Sequence, residues 1–184
     1  MKTNFKMSGG LAGVLLSAAL AMNLAAQSPA TFKVGELTFT RPAKWEWVPT
    51  TSAMRAAQLK LTDDAKKETG EVVFFNLPGG GGGVQPNIDR WLSQFEEPRE
   101  KLNSKVENVM VGKTKITYVH AEGTYKSGMP GAGPTTPMAG YVLEGAIIEL
   151  GPENNIFVRM TGPKALMKAS VEEFRKMIQS GPAK

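Results

Sequence analysis

A run of five glycines, residues 79–83, stands directly before a segment whose apolar residues have helical spacing. Backbone amides of such a loop can face an anion, and the start of a helix adds partial positive charge. The Gly-Lys-Ser/Thr ending of a phosphate-binding P-loop does not follow, and the flanking strands suit antiparallel pairing rather than a Rossmann unit. The alternative that the pattern favours is a plain strand-to-helix connection.

Polar residues follow these glycines and extend the candidate surface. Asn87 is placed to cap the helix, and Asp89 suits the positive end of the helix dipole. Trp91 fits the core, whereas Arg90 is expected to face water or to pair with Glu97. We predict a binding surface that combines this segment with the glycine- and proline-rich loop over residues 127–140. The candidate binding residues are Gly80, Gly81, Gly82, Gly83, Asn87, Asp89 and Arg90.

His120 is the only histidine of the chain. A catalytic triad needs a histidine together with a nucleophile and an orienting group, and no Gly-x-Ser-x-Gly elbow is present. A zinc site needs several ligands, and the scattered methionines make copper only a remote alternative. His120 with Tyr118 and Glu122 could line the cleft of an envelope hydrolase, which is the rival hypothesis. We predict a structural histidine, no catalytic residue, no metal and no cofactor.

The first 26 residues indicate where in the cell the protein is located. Lys2 and Lys6 precede an apolar run of 11 residues, 11–21, and small residues follow up to Ala26. This layout is typical of a secretory signal peptide, and the run is shorter than the about 20 residues that cross a bilayer. We predict cleavage after Ala26, a secreted or periplasmic location and no membrane span once the signal is removed. An uncleaved anchor is the less favoured alternative.

The segment that remains, residues 27–184, has the length of one domain. It carries 20 basic and 17 acidic residues, a net charge of +3, and no cysteine, so disulfides and thiolate chemistry are excluded. The small, evenly spread charge and the absence of a basic-aromatic pattern argue against nucleic acid as a partner.

Apolar patterns predict mainly strands in this segment. The predicted strands cover residues 32–40, 45–48, 54–61, 71–77, 106–111, 115–125, 141–150 and 156–160. A first helix carries Ile88, Trp91, Leu92 and Phe95 on one face and ends before residue 98. A final helix is predicted to start at a capping box over residues 170–173. The predicted fold class is α+β, an antiparallel sheet of about six to eight strands with two main amphipathic helices packed on it.

Three segments resemble a family of exported bacterial proteins of uncharacterised function. They are Gly80-Gly-Gly-Gly-Val-Gln-Pro-Asn-Ile-Asp-Arg-Trp91, Met54-Arg-Ala-Ala-Gln58 and Thr161-Gly-Pro163. The order of strands and helices is also similar to the PsbP-like fold, an antiparallel sheet between helices. The resemblance spans residues 37–180 and implies a non-catalytic accessory or assembly role. The chain has no counterpart of the cation-binding residues of some PsbP-type proteins.

The leading functional prediction is therefore a secreted or periplasmic, non-catalytic domain that binds a protein or a cell-envelope component. Two alternatives stay open, the envelope hydrolase around His120 and a small-ligand carrier that uses a cleft between sheet and helix. The sequence does not indicate the oligomeric state.

Overall fold

The computed structural model describes residues 29–128 and 135–183. Its strands are β1 (Thr31–Val34), β2 (Leu37–Thr40), β3 (Glu46–Trp47), β4 (Ala57–Asp63), β5 (Glu68–Asn76), β6 (Asn103–Val111), β7 (Thr114–Ser127), β8 (Thr136–Glu149) and β9 (Asn155–Pro163). The helices are α1 (Val84–Leu92) and α2 (Lys164–Ser180), and a short 3-10 segment, Pro78–Gly82, precedes α1. The predicted signal peptide lies outside the described residues.

Seven of these strands form one sheet in the order β3-β4-β5-β9-β8-β7-β6, while β1 and β2 pair separately. Every neighbouring pair of the seven-stranded sheet is antiparallel. The α+β class and the predicted number of strands in the sheet are confirmed. Neither helix of the described ranges is both long enough and apolar enough to cross a membrane.

The prediction of one strand over residues 32–40 is wrong, because this segment is a hairpin. Val34 pairs with Leu37, and Gly35 occupies the turn with a φ of +56°. The ring centroids of Phe32 and Phe39 lie 5.7 Å apart, and both rings pack on Phe74 of β5. The glycine inside the apolar run was the signal for this turn.

The two helices cover opposite faces of the sheet. Side chains alternate along a strand, so that Ile147 belongs to the core beneath α1 and its neighbour Ile148 to the core beneath α2. The β1–β2 hairpin shares the α2 face, where Phe174 of α2 is fully buried. The central strands are therefore apolar on both sides, which explains their nearly continuous apolar sequence.

The helix α1 is shorter than its apolar spacing predicts. It ends at Leu92, and the chain that follows pairs with the end of β7. The backbone N–H of Lys126 donates to the carbonyl of Gln94 at 2.8 Å, so this carbonyl is not available to a longer helix. Phe95 still reaches the core, with its ring 5.5 Å from that of Tyr125. A tertiary contact therefore ends the helix before the proline at position 98.

The capping box predicted over residues 170–173 is also wrong. The helix α2 begins at Lys164 directly after Pro163, and Ser170 is buried in its interior. The fixed φ of a proline suits the entry into a helix, and Leu166 and Met167 add a first turn with buried side chains. The polar pattern over residues 170–173 resembles a helix start. In the structure it lies within α2, where Ser170 is on the buried side and does not cap the helix.

Candidate functional site

A cleft of about 620 Å³ lies between α1 and the face of the sheet that this helix covers. Its volume falls within the range of about 300–1,000 Å³ that is usual for small-molecule sites. Its apolar wall comes from β5, α1, β7 and β9 and from the residue that follows β5: Phe75, Leu77, Trp91, Tyr125 and Phe157. The cleft is therefore built between sheet and helix, as the carrier alternative requires.

Three arginines and one glutamate also line this cleft. Arg55 forms an ion pair with Glu71, with 3.3 Å between Nη1 and Oε2. No carboxylate of a described residue lies within ion-pair distance of Arg90 or Arg159. The lining of the cleft is therefore net positive, with two cations that no acidic side chain of the described chain neutralises.

Arg159 is held by a neutral partner. Its Nη1 donates to Oε1 of Gln94 at 2.8 Å, and the hydroxyl of Tyr125 donates to the same oxygen at 3.3 Å. The Nε atom of Arg159 is buried and has no acceptor among the described residues. Burial raises the pKa of Tyr125, which keeps its phenol protonated as a donor. Gln94 is itself buried, although it is polar.

Asn87 connects the glycine segment to the helix, although not as the predicted cap. The N-cap residue is Gly83, and no side chain caps this end. The amide of Asn87 instead donates to the carbonyls of Gly81 and Gly83 at 2.9 and 2.7 Å. Its Oδ1 accepts from Nη1 of Arg90 at 2.6 Å. Arg90 is exposed, as one of its two predicted placements required, and the alternative pairing with Glu97 is wrong. Asn87 therefore orients Arg90 at the cleft.

The five glycines of residues 79–83 have φ values between +60° and +87°, a region that other residues rarely adopt. Gly80 is buried against Glu153, and a Cβ on Gly81 would lie 2.7 Å from Cε2 of Phe157. The segment thus packs on the turn between β8 and β9 and supports the Phe157 wall of the cleft. The positive φ values and the close packing at Gly80 and Gly81 explain the glycine run, so a bound ligand is not needed to account for it.

The structure brings only part of the predicted surface to the cleft. Asn87 and Arg90 line it, whereas Gly80, Gly81, Gly82, Gly83 and Asp89 do not. Asp89 instead pairs with Arg99, whose hydrogen bond is the main cause that lowers the pKa of Asp89.

The second predicted loop also meets this cleft. Ser127 and Gly128, at its start, line the cleft, while residues 129–134 lie outside the described chain. The two predicted segments therefore approach one site. Arg55, Gln94 and Arg159 were missed as site residues. A single arginine inside the apolar strand over residues 156–160 was the available signal.

The histidine lies on the opposite face of the sheet, which it shares with Ile116 and Tyr118 of the core beneath α2. Nδ1 of His120 is 2.7 Å from Oε1 of Glu144, and this hydrogen bond is the main cause that raises the pKa of His120. Glu122 is paired with Lys164, and Tyr118 lies beneath the guanidinium of Arg175.

None of the three residues of the predicted hydrolase, His120, Tyr118 and Glu122, lines the large cleft. The acid in contact with the imidazole is Glu144 rather than the predicted Glu122. Over the described ranges, no group of three or more histidine, cysteine or acidic residues is arranged to hold a metal ion.

No protein-family model matches the chain, and no curated protein matches it. Among solved structures, the chain is similar to the 1.9 Å crystal structure of the Ran-binding protein Mog1p from Saccharomyces cerevisiae. The two share 11% identity and a TM-score of 0.44, over 80% of this chain and 89% of that one. A likeness of this strength carries no argument about function. The α+β class rests on the sheet and helices themselves, and the exported family and the PsbP-like assignment stay predictions from the sequence.

Proposed function

We propose that this protein is an exported, non-catalytic binding protein and that the cleft beneath α1 is its binding site. The observation that carries the proposal is the combination, in one cleft of about 620 Å³, of an aromatic wall with two arginines that have no acidic partner among the described residues. Apolar walls supply affinity, and a few placed polar groups supply orientation, which is the usual construction of a ligand site.

The polar groups of the cleft suit binding better than catalysis. Gln94 and Asn87 are neutral amides, Tyr125 stays protonated, and Glu71 is paired with Arg55. General acid–base or nucleophilic catalysis needs a titratable group within hydrogen-bond reach of the reacting atom. The imidazole that could serve lies on the other face of the sheet. The arrangement therefore supports holding a molecule rather than transforming it.

The proposed location is periplasmic or secreted, and the proposed partner is a component of the cell envelope. The N-terminal pattern of basic, apolar and small residues supports export. Stable protein interfaces bury about 800 Å² on each partner, which is a wide surface rather than a cleft. A component small enough to enter the cleft therefore suits this site better than a flat protein surface.

The binding site is tested by native mass spectrometry of the full chain purified from its own host. We expect a non-covalent bound mass on the wild-type protein. The variant Ser52→Trp places a large ring at the lining of the cleft and is expected to lose this mass. Ser104→Trp, on the exposed side of β6, is the matched control and is expected to keep it. A bound mass that survives Ser52→Trp would place the ligand elsewhere.

Export is tested separately by cell fractionation and N-terminal sequencing. We expect the mature chain to begin at Gln27 and to be found in the periplasmic or secreted fraction. A chain that keeps residues 1–26 and stays in the cytosol would contradict this part of the proposal without affecting the cleft.

A further inference from the structure

We infer that the molecule held in the cleft is a small amphipathic anion, whose charged head contacts Arg159 and Arg90 and whose apolar body lies on the aromatic wall. This inference rests on the proposed function and specifies the chemical class of the ligand.

Arg159 provides the first argument. It lies on β9 in the middle of the sheet, its side chain lines the cleft, and its Nε atom is buried. A guanidinium in such surroundings loses hydration, and an anion in contact compensates that loss. Gln94 supplies a hydrogen-bond acceptor but no negative charge, and the buried Nε has no acceptor in the described chain. A ligand in the cleft can supply the missing negative charge.

Arg90 provides the second argument. It is exposed on α1, lines the same cleft and is held by the carboxamide of Asn87. An arginine oriented by a neighbouring side chain loses less conformational freedom when it binds an anion. Arg55 contributes less because Glu71 already neutralises it. The positive charge available to a ligand is therefore that of Arg90 and Arg159.

The aromatic wall explains why an inorganic ion alone would not fill the site. Phe75, Trp91 and Phe157 line the cleft beside the arginines. Contact with aromatic and apolar surface stabilises an apolar group in proportion to the area removed from water. A ligand with an anionic head and an apolar body satisfies both parts of the lining.

The inference is tested by isothermal titration calorimetry with three probes that each have a linear chain of ten carbons: decanoate, monodecyl phosphate and decanol. We expect both anions to bind and decanol to bind at least about tenfold more weakly, because a charge-assisted hydrogen bond is lost. The two anions distinguish a carboxylate head from a phosphate head. Equal affinities for decanol and the anions, or no binding of either anion, would overturn the inference.

The assignment of the head group is tested with Arg159→Gln and Arg90→Gln. We expect each to lower decanoate affinity by about tenfold or more and to leave decanol binding unchanged. Arg99→Gln removes the same charge from an exposed arginine outside the cleft and is expected to bind like the wild type. Arg159→Lys keeps the positive charge and is expected to retain decanoate affinity better than Arg159→Gln. Wild-type decanoate affinity in both Arg90→Gln and Arg159→Gln would overturn the assignment. If Arg159→Gln does not fold, wild-type affinity in Arg90→Gln alone would overturn it, because Arg90 is exposed and its change leaves the core intact.

The failure of this inference can be separated from a failure of the binding site. Decanol binding that equals decanoate binding and is lost in Ser52→Trp would keep the cleft as a site and overturn its anion preference. A neutral lipid or a polypeptide identified in the cleft by native mass spectrometry would overturn the inference in the same way.

Discussion

Trp91 lies directly on the backbone of Gly145, with the helix α1 above and the strand β8 below. A Cβ added at Gly145 would stand 2.6 Å from Cε3 of the indole, a separation that real Cβ atoms do not show. The absence of a side chain at this position therefore lets the ring settle against the sheet. Because Trp91 also lines the cleft, this contact sets one wall of the candidate site.

Gly145→Ala is expected to displace Trp91 and to lower the free energy of unfolding by about 1–3 kcal/mol, the usual cost of overpacking. Urea denaturation followed by tryptophan fluorescence measures the effect. Gly151→Ala is the matched control, because no heavy atom lies within 4 Å of a Cβ added there. Equal stabilities of the two variants would show that the indole does not depend on this contact.

Asn87 supports the site through two hydrogen bonds that its side-chain amide donates. Asn87→Asp removes both donors and places a carboxylate against the carbonyls of Gly81 and Gly83, but it keeps an acceptor for Arg90. Asn87→Ala removes the donors and also the oxygen that accepts from Arg90. We expect Asn87→Ala to cost about 1–3 kcal/mol of unfolding free energy and Asn87→Asp to cost more. Thermal denaturation monitored by circular dichroism measures both.

The control for Asn87 is the exposed Asn103, whose change to alanine is expected to leave the melting temperature near that of the wild type. If Asn87→Asp proved as stable as the wild type, the amide would not hold the glycine segment in place.

The pair of His120 and Glu144 predicts a pH-dependent contribution to stability. The pKa of His120 is raised above 6.5, first by the hydrogen bond to Glu144 and further by the charges of Glu144 and Glu122, against burial and Lys105. A raised pKa means that the folded state favours the protonated imidazole. This stabilisation is complete below the unfolded value of 6.5 and is lost as pH rises through the folded pKa.

Glu144→Gln should therefore lower the melting temperature more at about pH 5.5 than at about pH 9. Glu36→Gln, in the exposed turn of the hairpin, serves as the control and should show no such difference. Melting curves of both variants over this pH range provide the measurement, and parallel curves for Glu144→Gln and the wild type would contradict the role of the pair.

Gln94→Glu tests whether the missing negative charge at Arg159 matters for binding. The change is nearly isosteric and places a carboxylate at the oxygen that now accepts from Arg159 at 2.8 Å. We expect the variant to fold and its decanoate affinity to fall by about tenfold or more, because the internal acid neutralises the arginine. Calorimetric titration with decanoate measures the change.

Gln85→Glu introduces the same charge on the exposed side of α1, outside the cleft, and is expected to bind decanoate like the wild type. Equal losses in both variants would point to a general effect of net charge rather than to Arg159.

Much of the secondary structure was accessible from the sequence because it depends on local spacing. The alternation of apolar residues located most strands, and the spacing of Ile88, Trp91 and Leu92 located α1. The misplaced boundaries have tertiary causes. Residues after Leu92 pair with β7 instead of continuing the helix, and Ser170 is covered by the sheet instead of capping α2.

The candidate site was accessible only in part. Asn87 and Arg90 are close in sequence to the glycine run and were selected with it. Gln94 and Arg159 are separated by 65 residues, and their contact depends on the position of β9 in the middle of the sheet. No local sequence pattern predicts which strands become neighbours in the sheet.

By itself, the sequence determined the α+β composition, the alternating faces of the strands and the glycine-rich connection before α1, because each depends on the preferences of adjacent residues. The tertiary structure decided the strand order, and through it which polar side chains share the cleft beneath α1. The physical reason is that strand pairing joins distant residues through backbone hydrogen bonds, and these bonds do not depend on which side chains the residues carry.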